Sequence, residues 1–278
     1  MGYTLYSPLY MAGPIVTFNA YVHYTVSPDF SSESLGWYAF RWGYCFLLME
    51  WITSAFPFFA IVKSGLLGHL EIAEIAVVLY VLLKTMWIKF LLIWRFFRLW
   101  AMTDGILPPE NMRRCMSNNS SLSEFWKGWH ASFNQWIVRY MYVPLGGRAS
   151  SMYSAWVVFL FVAVWHDIDP KLLAWGLLNG FFFVIEMLAV KFAKTNVSFN
   201  RLPKATISFV CSLSAATYIF VLIAVNMVGY SIGVGGITLV LGKLLSVEGA
   251  KVLLVSYYFL FNGVIIMAKL KEEGLSAR

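Results

Sequence analysis

The segment SEFWKGWHASFNQWIVRYMYVPLGG, residues 123–147, interrupts a chain that otherwise consists largely of long apolar runs. In a helix each residue turns by about 100°, so the side chains of this segment would separate onto two opposite faces. His130 falls on the boundary between the faces. One face is aromatic and carries Phe125, Trp126, Trp129, Phe133, Trp136 and Tyr140, whereas the other is polar and carries Glu124, Lys127, Asn134, Gln135 and Arg139. The pattern predicts an amphipathic helix that is too polar to cross a membrane.

The ends of this helix are marked by short signals. Ser121 with Glu124 three residues later is typical of a capping box, in which the serine accepts from the third helical amide and the glutamate reaches back. Pro144 and the glycine pair that follows it end the pattern. We therefore predict one interfacial or re-entrant helix over about residues 121–143, lying at the membrane surface or lining a wet cavity. A simple interfacial anchor, with aromatic rings among headgroups and basic residues on anionic lipid, explains most of its residues equally well.

The composition is that of a membrane protein. Of 278 residues, 60% are hydrophobic and only 13% are charged, far from the mixture of a soluble domain. The net charge of +7 does not indicate a nucleic-acid binder, because the basic residues are spread thinly between apolar segments. Cys45, Cys115 and Cys211 stand far apart and predict neither a disulfide framework nor a metal site.

Apolar segments along the chain predict an all-α, polytopic transmembrane helical bundle of about six spans. The candidate spans are residues 37–61, 70–100, 151–165, 171–190, 205–228 and 252–269. A shorter glycine-rich stretch at 229–247 suits a re-entrant or interfacial piece better than a full crossing. We expect residues 1–278 to form a single membrane domain.

The charges between the spans predict their orientation. Four basic residues and no acid occupy 191–204, whereas two aspartates occupy the short connection at 167–170. The positive-inside rule places the first loop in the cytoplasm and the second on the opposite side. Alternation of the other spans then places the polar segment 101–150 and the C-terminal lysines in the cytoplasm as well.

A second histidine ends a short span. The roughly 15 residues before His166 rise about 22 Å, against a hydrocarbon thickness of about 30 Å. His166 is therefore predicted to lie within the depth of the membrane, facing protein and water instead of lipid, where ionisable residues are functional candidates. Asp169 with Pro170 is expected to cap the next helix. On the amphipathic segment, His130 and Asn134 are four residues apart and are predicted to share one face.

Two stretches together resemble a known family. FWKGWHASFNQWIVRYMYVPLGG, followed after a short apolar span by WHDIDPKLLAWG, is similar to the membrane-bound O-acyltransferases (MBOATs). The resemblance is to the branch of the yeast glycerol-uptake (Gup) proteins and their Hedgehog-acyltransferase-like relatives, and LYSPLYMAGPIVTFNAYV near the start resembles that branch too. It implies a polytopic enzyme of the endoplasmic reticulum that moves a fatty acyl group from acyl-CoA to a hydroxyl acceptor. The Gup branch favours a lipid acceptor, of the glycosylphosphatidylinositol or lysolipid type.

The resemblance also implies roles for particular residues. The near-invariant histidine of the family corresponds to His166, its second signature position corresponds to His130, and Asn134 matches the Gup-like branch as a supporting residue. Family members usually carry an N-terminal half with several further spans. This chain is therefore expected to be the C-terminal half of a longer fold.

Elementary chemistry suggests how these residues would act. An alcohol is a weak nucleophile at neutral pH, so attack on a thioester needs a base such as His166. His130 and Asn134 would stabilise the developing oxyanion. Three basic residues on the predicted cytoplasmic side are candidates to bind the phosphates of acyl-CoA: Lys127, Arg139 and Arg148. No metal and no cofactor beyond the acyl-CoA co-substrate is expected.

A non-catalytic polytopic protein is the alternative hypothesis, either a transporter of glycerol or another small solute or an inactive regulator on the same scaffold. Arg41, Glu50 and Lys84 stand at hydrophobic positions and would then mark a polar path. Interhelical ion pairs or snorkelling side chains explain the same three residues.

Overall fold

The computed structural model describes residues 2–26, 32–147 and 149–273, which form helices joined by connections without a β-strand. The helices are α1 (Ser7–Met11), α2 (Phe18–Val26), α3 (Ser32–Ala55), α4 (Phe58–Lys63), α5 (Ile72–Thr103), α6 (Leu122–Gly128), α7 (Ala131–Ile137), α8 (Ser151–His166), α9 (Pro170–Thr195), α10 (Val197–Asn200), α11 (Lys204–Tyr230), α12 (Gly233–Leu244) and α13 (Val247–Glu272). A 3₁₀ turn at Leu66–His69 and a π-helical turn at Val138–Tyr142 complete the described elements. The predicted all-α architecture is confirmed.

Four helices in the described ranges are long and apolar enough to cross a membrane. They are α5, α9, α11 and α13, with 32, 26, 27 and 26 residues. These helices confirm the predicted polytopic membrane architecture. α8 and α12 are apolar but shorter. α12 has 12 residues and rises about 18 Å, in agreement with the prediction that the glycine-rich stretch is not a full crossing.

The predicted span at 37–61 is wrong as a single helix. α3 ends before Pro57 and α4 begins after it. Proline lacks a backbone N–H and restricts the residue before it, so a helix ends at this position. α3 is 24 residues long, but it does not join the four spanning candidates.

The predicted helix over 121–143 is also wrong as one continuous helix. It is divided into α6 and α7, and the π-helical turn extends α7. The break lies at His130, whose backbone is left-handed with φ 44° and ψ 51°. The cause is a competing set of hydrogen bonds, because the amides of Ala131 and Ser132 donate to Asn111 instead of to the preceding turn.

Only one half of the predicted capping box forms at the start of α6. The Ser121 side chain accepts a hydrogen bond from the Glu124 N–H (3.1 Å). The Glu124 carboxylate accepts instead from the amide and the hydroxyl of Ser120, at 3.3 and 3.0 Å. Lys271 at the end of α13 donates to the same carboxylate at 2.6 Å. This contact places the end of α13 beside α6 on one side of the bundle, as the alternation of spans predicts.

α8 and α9 form a tightly packed antiparallel hairpin. α9 carries Gly176 and Gly180 four residues apart, a spacing that lets two membrane helices approach closely. A Cβ atom on Gly176 would lie 2.7 Å from the Ala163 side chain and 2.9 Å from the Phe159 carbonyl oxygen. The hairpin therefore leaves no room for a side chain at this position.

The predicted cap of α9 is confirmed. The Asp169 side chain accepts a hydrogen bond from the Lys171 N–H (2.9 Å), and Pro170 is the first helical residue. This backbone hydrogen bond is the main reason that the pKa of Asp169 lies below its usual value, and the Lys171 ammonium adds to the effect. A short connection thus separates His166, the last residue of α8, from the capped start of α9.

Candidate active site

A cavity of about 1730 Å³ runs beside α8 through the described part of the protein. Side chains line it along α8 from Ser151 to His166, about 22 Å at the rise of an α-helix, and along α9 from Trp175 to Thr195, about 30 Å. α5, α6, α7 and α11 contribute further walls. The lining residues therefore extend from one end of the antiparallel α8–α9 hairpin towards the other.

The structure brings several of the predicted site residues together in this cavity. Those that line it are His130, Asn134, His166 and Lys127. Arg139 does not line it. Its side chain is exposed, and its guanidinium lies 5.6 Å from the centre of the Tyr140 ring. Arg148 lies outside the described residues. The two histidines that the sequence singles out are thus both available to one bound molecule.

His166 is the last residue of α8 and is surrounded by aromatic rings. Its ring centroid lies 5.7 Å from the centroids of Trp175 and Tyr230, and both contacts are edge-to-face. Trp165 is a third neighbour at 4.8 Å. The His166 side chain is exposed and lines the cavity. The surrounding rings limit the orientations of the imidazole without covering it.

His130 is held against a different aromatic wall. Its imidazole stacks on the Trp94 ring with a centroid distance of 4.4 Å and an angle of 24° between the planes. Phe133 lies 5.0 Å away and Trp165 lies 6.2 Å away. Trp165 also contacts His166, so the two imidazoles share one aromatic neighbour as well as one cavity.

The environment of His130 keeps its imidazole uncharged at neutral pH. His130 lies outside the four spanning helices, and burial, followed by the nearby His166, lowers the pKa of its imidazole to about 4. A neutral imidazole has one N–H donor and one lone pair. His130 can therefore donate a hydrogen bond to a developing negative charge without adding a second positive charge beside His166.

Asn134 lies one turn after His130 and also lines the cavity. Its N–H donates to the His130 carbonyl oxygen at 3.0 Å, and its side chain is half-buried. The sequence predicts that the two residues share the face of one continuous helix. They do not, because His130 precedes the first residue of α7. Their common exposure to the cavity results from the bend.

The end of the cavity at the start of α8 is basic. Lys127 from α6 and Lys191 and Lys194 from the last turns of α9 all line it. Lys191 and Lys194 were missed as site candidates because the predicted span ends at 190, whereas α9 continues to Thr195. Glu124 and Glu186 also line the cavity, so three ammonium groups outnumber two carboxylates, and this excess positive charge suits an anionic ligand.

Glu186 is a buried acid in the wall of the cavity, with 6% of its surface exposed. Its carboxylate accepts hydrogen bonds from the N–H groups of Leu122 (2.7 Å) and Ser123 (3.3 Å), the first two residues of α6. The start of a helix leaves amides unpaired and favours negative charge, so Glu186 caps α6 from a neighbouring helix. The sequence carried a signal for it, because an acid inside the predicted span 171–190 is a functional candidate.

Asn226 and Tyr230 of α11 line the cavity near His166. The Trp175 indole N–H donates to the Asn226 carboxamide oxygen at 3.2 Å. A Cβ atom on Gly229 would lie 2.7 Å from the Trp175 ring, so the glycine leaves room for the indole. These residues were not predicted, because an isolated polar residue in a long apolar run carries no periodic signal.

The three charges that the transporter hypothesis invokes do not line this cavity. Arg41 and Glu50 are exposed on α3. Lys84 donates to the Ser117 hydroxyl, and its ammonium lies 5.2 Å from the centre of the Tyr80 ring. They therefore do not mark a shared polar path along the cavity.

The family model of the membrane-bound O-acyltransferases matches residues 1–232 of the chain. The chain therefore belongs to the membrane-bound O-acyltransferase family. The resemblance carried by the segment around His130 and by the sequence that begins at Trp165 is confirmed, and the match covers most of the chain.

Individual relatives refine this assignment. The chain is 37% identical to the membrane-bound O-acyltransferase gup1 of Schizosaccharomyces pombe over 99% of its own length and 48% of that relative. It is also 37% identical to the membrane-bound O-acyltransferase GUP1 of Saccharomyces cerevisiae, over 98% of its length and 48% of the relative. The mouse protein-cysteine N-palmitoyltransferase HHAT is 25% identical over 66% of this chain and 39% of the mouse protein. The chain spans about half the length of the two yeast relatives it matches.

Proposed function

We propose that this chain provides the reaction centre of an acyltransferase that moves a fatty acyl group from acyl-CoA to a hydroxyl acceptor. The observation that carries the proposal is that His130 and His166, which come from separate elements, line one cavity. Family membership supports the acyl-transfer chemistry. The expectation that residues 1–278 form one domain of a longer fold stays a prediction.

His166 is the general base in this proposal. Its imidazole takes the proton of the acceptor hydroxyl while the hydroxyl oxygen attacks the thioester carbonyl. When the tetrahedral intermediate collapses, the new C–O bond is retained, the C–S bond breaks, and the imidazolium returns the proton to the CoA thiolate. Proton transfer of this kind contributes about 10²–10⁴ in rate. The position of His166 at the end of α8, exposed to the cavity, allows an acceptor to reach it.

His130 and Asn134 stabilise the oxyanion of the intermediate. A neutral His130 donates through its ring N–H, and Asn134 donates through its carboxamide. Preorganised donors of this type are each worth about 10²–10³ in turnover. The low pKa of His130 supports the role, because a neutral imidazole keeps one N–H donor and adds no second positive charge beside the imidazolium of His166.

Acyl-CoA enters from the basic end of the cavity. Lys127, Lys191 and Lys194 bind its phosphates there through charge-assisted hydrogen bonds. The acyl chain lies against apolar walls that include Phe90 and Val158, and burial of each CH₂ group contributes about 0.8 kcal/mol. Acyl-CoA is a co-substrate, and this chemistry requires no further cofactor.

We propose a lipid acceptor of the glycosylphosphatidylinositol or lysolipid type and a multi-pass location in the endoplasmic reticulum membrane. The two yeast relatives named as O-acyltransferases match more of the chain, and at higher identity, than the relative named as a cysteine N-palmitoyltransferase. This difference favours an oxygen nucleophile. Aromatic rings rather than charged side chains surround His166, which favours an uncharged reacting group.

The proposal is tested with membranes that contain the protein as it occurs and with labelled acyl-CoA. His166→Ala should lower acyl transfer by about 10² or more, and His130→Ala should lower it by about 10². His69→Ala is the matched control, because His69 is exposed on the 3₁₀ turn and does not line the cavity. Full activity of His166→Ala would overturn the base assignment. Glycerol flux through reconstituted protein, unaffected by either substitution, would favour the transporter hypothesis instead.

A further inference from the structure

The left-handed backbone at His130 needs a structural cause. It is the one non-glycine residue with a positive φ in the part of the chain that the structure describes. Residues other than glycine rarely adopt this backbone conformation, and they keep it only where the surrounding structure imposes it. The conformation turns the chain between α6 and α7 and presents the imidazole to the cavity.

Asn111 supplies the hydrogen bonds that define the turn. Its backbone oxygen accepts from the Ala131 N–H at 3.1 Å, and its side-chain oxygen accepts from the Ser132 N–H at 3.0 Å. These are the first two amides after His130, and the start of α7 would otherwise leave them unpaired. Asn111 is fully buried, with 0% of its surface exposed, so no water competes for the same amides.

The loop that carries Asn111 is itself anchored on both sides of the turn. The Arg113 N–H donates to the Gly128 carbonyl oxygen at 3.2 Å, immediately before the break. Met112 packs in a buried cluster with Trp94, the ring on which the His130 imidazole stacks. The backbone turn and the stacking partner of His130 are therefore fixed by one loop.

We propose that Asn111 is a positioning residue for acyl transfer, which holds the His130 imidazole in the cavity by bonding the two amides that follow it. The inference rests on the proposed function. Asn111 does not line the cavity, so it touches no substrate and acts through His130. A displacement of about 1 Å at a reacting group can lower turnover by about 10², so the loss of this anchor should appear in kcat.

Two substitutions at Asn111 separate positioning from folding. Asn111→Asp keeps the side-chain acceptor. The helix start favours its negative charge, whereas burial at this position opposes it. Asn111→Leu keeps the approximate volume but leaves the Ser132 N–H without its partner. We expect kcat to fall by about 10-fold or more in Asn111→Leu with KM within about two-fold, and to stay within about three-fold of wild type in Asn111→Asp. Asn111→Ala, which leaves space for a water at the amide, should show the same kcat loss if Asn111→Leu does not fold.

Asn119→Leu is the matched control. Asn119 lies on the same connection, is 5% exposed and donates through its carboxamide to the Met116 carbonyl oxygen at 3.0 Å. It does not line the cavity and does not bond to α7. Asn119→Leu should lower the melting temperature while it leaves kcat per folded molecule unchanged.

A second measurement does not depend on activity. Diethyl pyrocarbonate modifies accessible imidazoles, and mass spectrometry reports the rate at His130 with His69 as an internal reference. We expect Asn111→Leu to change the His130 rate by several-fold, with no change in Asn111→Asp or Asn119→Leu. If diethyl pyrocarbonate modifies His130 in the wild type but the wild type transfers no acyl group, the proposed function fails. The modification rates of the variants then still test the positioning of His130. The inference is overturned if Asn111→Leu and Asn111→Ala keep wild-type kcat and His130 reactivity, or if Asn119→Leu reproduces their changes.

Discussion

The two histidine-bearing regions of this protein are held in place in different ways. His166 stands at the end of a continuous helix, and the α8–α9 hairpin that carries it packs through Gly176 against residues close by in the sequence. His130 stands at a break between two short helices, and its segment is held by Asn111 and Glu186, which lie in other parts of the chain. The first region depends on close contact between two helices, whereas the second depends on a few hydrogen bonds. The two regions should therefore respond differently to substitution.

The largest effect is expected where the hairpin has no space. Gly176→Leu would place its Cβ within 2.7–2.9 Å of the side chain and backbone of α8, so it should destabilise the protein by about 3 kcal/mol or more. Gly263→Leu is the control, because nothing lies within 4 Å of a Cβ at that position of α13. Thermal unfolding in detergent measures both variants. Equal melting temperatures for the two would show that hairpin packing does not hold His166.

A smaller effect is expected for the cap that joins α9 to α6. Glu186→Leu leaves the first amides of α6 buried without an acceptor, which should cost about 2–3 kcal/mol, whereas Glu186→Gln keeps one acceptor and should cost about 1 kcal/mol. Glu248→Gln, in an exposed ion pair on α13, is the control and should be nearly neutral. Acyl transfer should fall further in Glu186→Leu than its melting temperature explains. Loss in strict proportion to the folded fraction would show that this cap does not align His130.

The pH dependence of stability should report how deeply the His130 region is buried. The pKa of folded His130 is about 4 against 6.5 for the free side chain, so between these values the unfolded chain binds a proton that the folded protein does not. Stability should therefore fall as the pH decreases from about 6.5 to about 4. His130→Asn tolerates the left-handed backbone and removes the titration, so near pH 4.5 the wild type should lose on the order of 2 kcal/mol more than the variant. Parallel pH profiles would contradict the burial of His130.

The smallest effect concerns the contact at the end of α13. Burial raises the pKa of Glu124, but hydrogen bonds from Lys271 and Ser120 outweigh this and hold the pKa below its usual 4.5. A lowered carboxyl pKa contributes stability that is present above 4.5 and is lost as the pH falls through the folded value. Lys271→Ala should cost at most about 1 kcal/mol at pH 7 because the pair is partly exposed, and its cost should decrease on acidification. Lys269→Ala serves as the control, and a cost that persists at low pH would refute the pairing.

The sequence predicted the regular elements well where the signal was local. The short apolar run before His166, the Asp169 cap and the glycine-interrupted stretch of α12 all appear as expected. Each depends on residues within a few positions of one another. The span at 37–61 is an exception, because Pro57 is a local signal as well and separates α3 from α4.

The candidate site was predictable only in part. His130, Asn134, His166 and Lys127 could be named because they are polar residues in apolar surroundings. Arg139 follows the same pattern but lies outside the cavity. The spacing of residues predicts which side chains share a helix face, but it does not predict what packs against that face. Glu186 carried a signal as an acid inside a predicted span, but its partners, the amides of α6, could not be read from the sequence.

The order of apolar and polar residues by itself determined that this protein is a helical membrane protein, with polar groups at 121–143 and at the end of α8, because burial in lipid requires long apolar helices. Only the tertiary structure decided that the amphipathic segment breaks at His130 and turns its imidazole into the cavity that His166 lines. The physical reason is competition for backbone amides. A helix satisfies its amides locally unless a distant group such as Asn111 is positioned to accept them first, and that position exists only after the chain has folded.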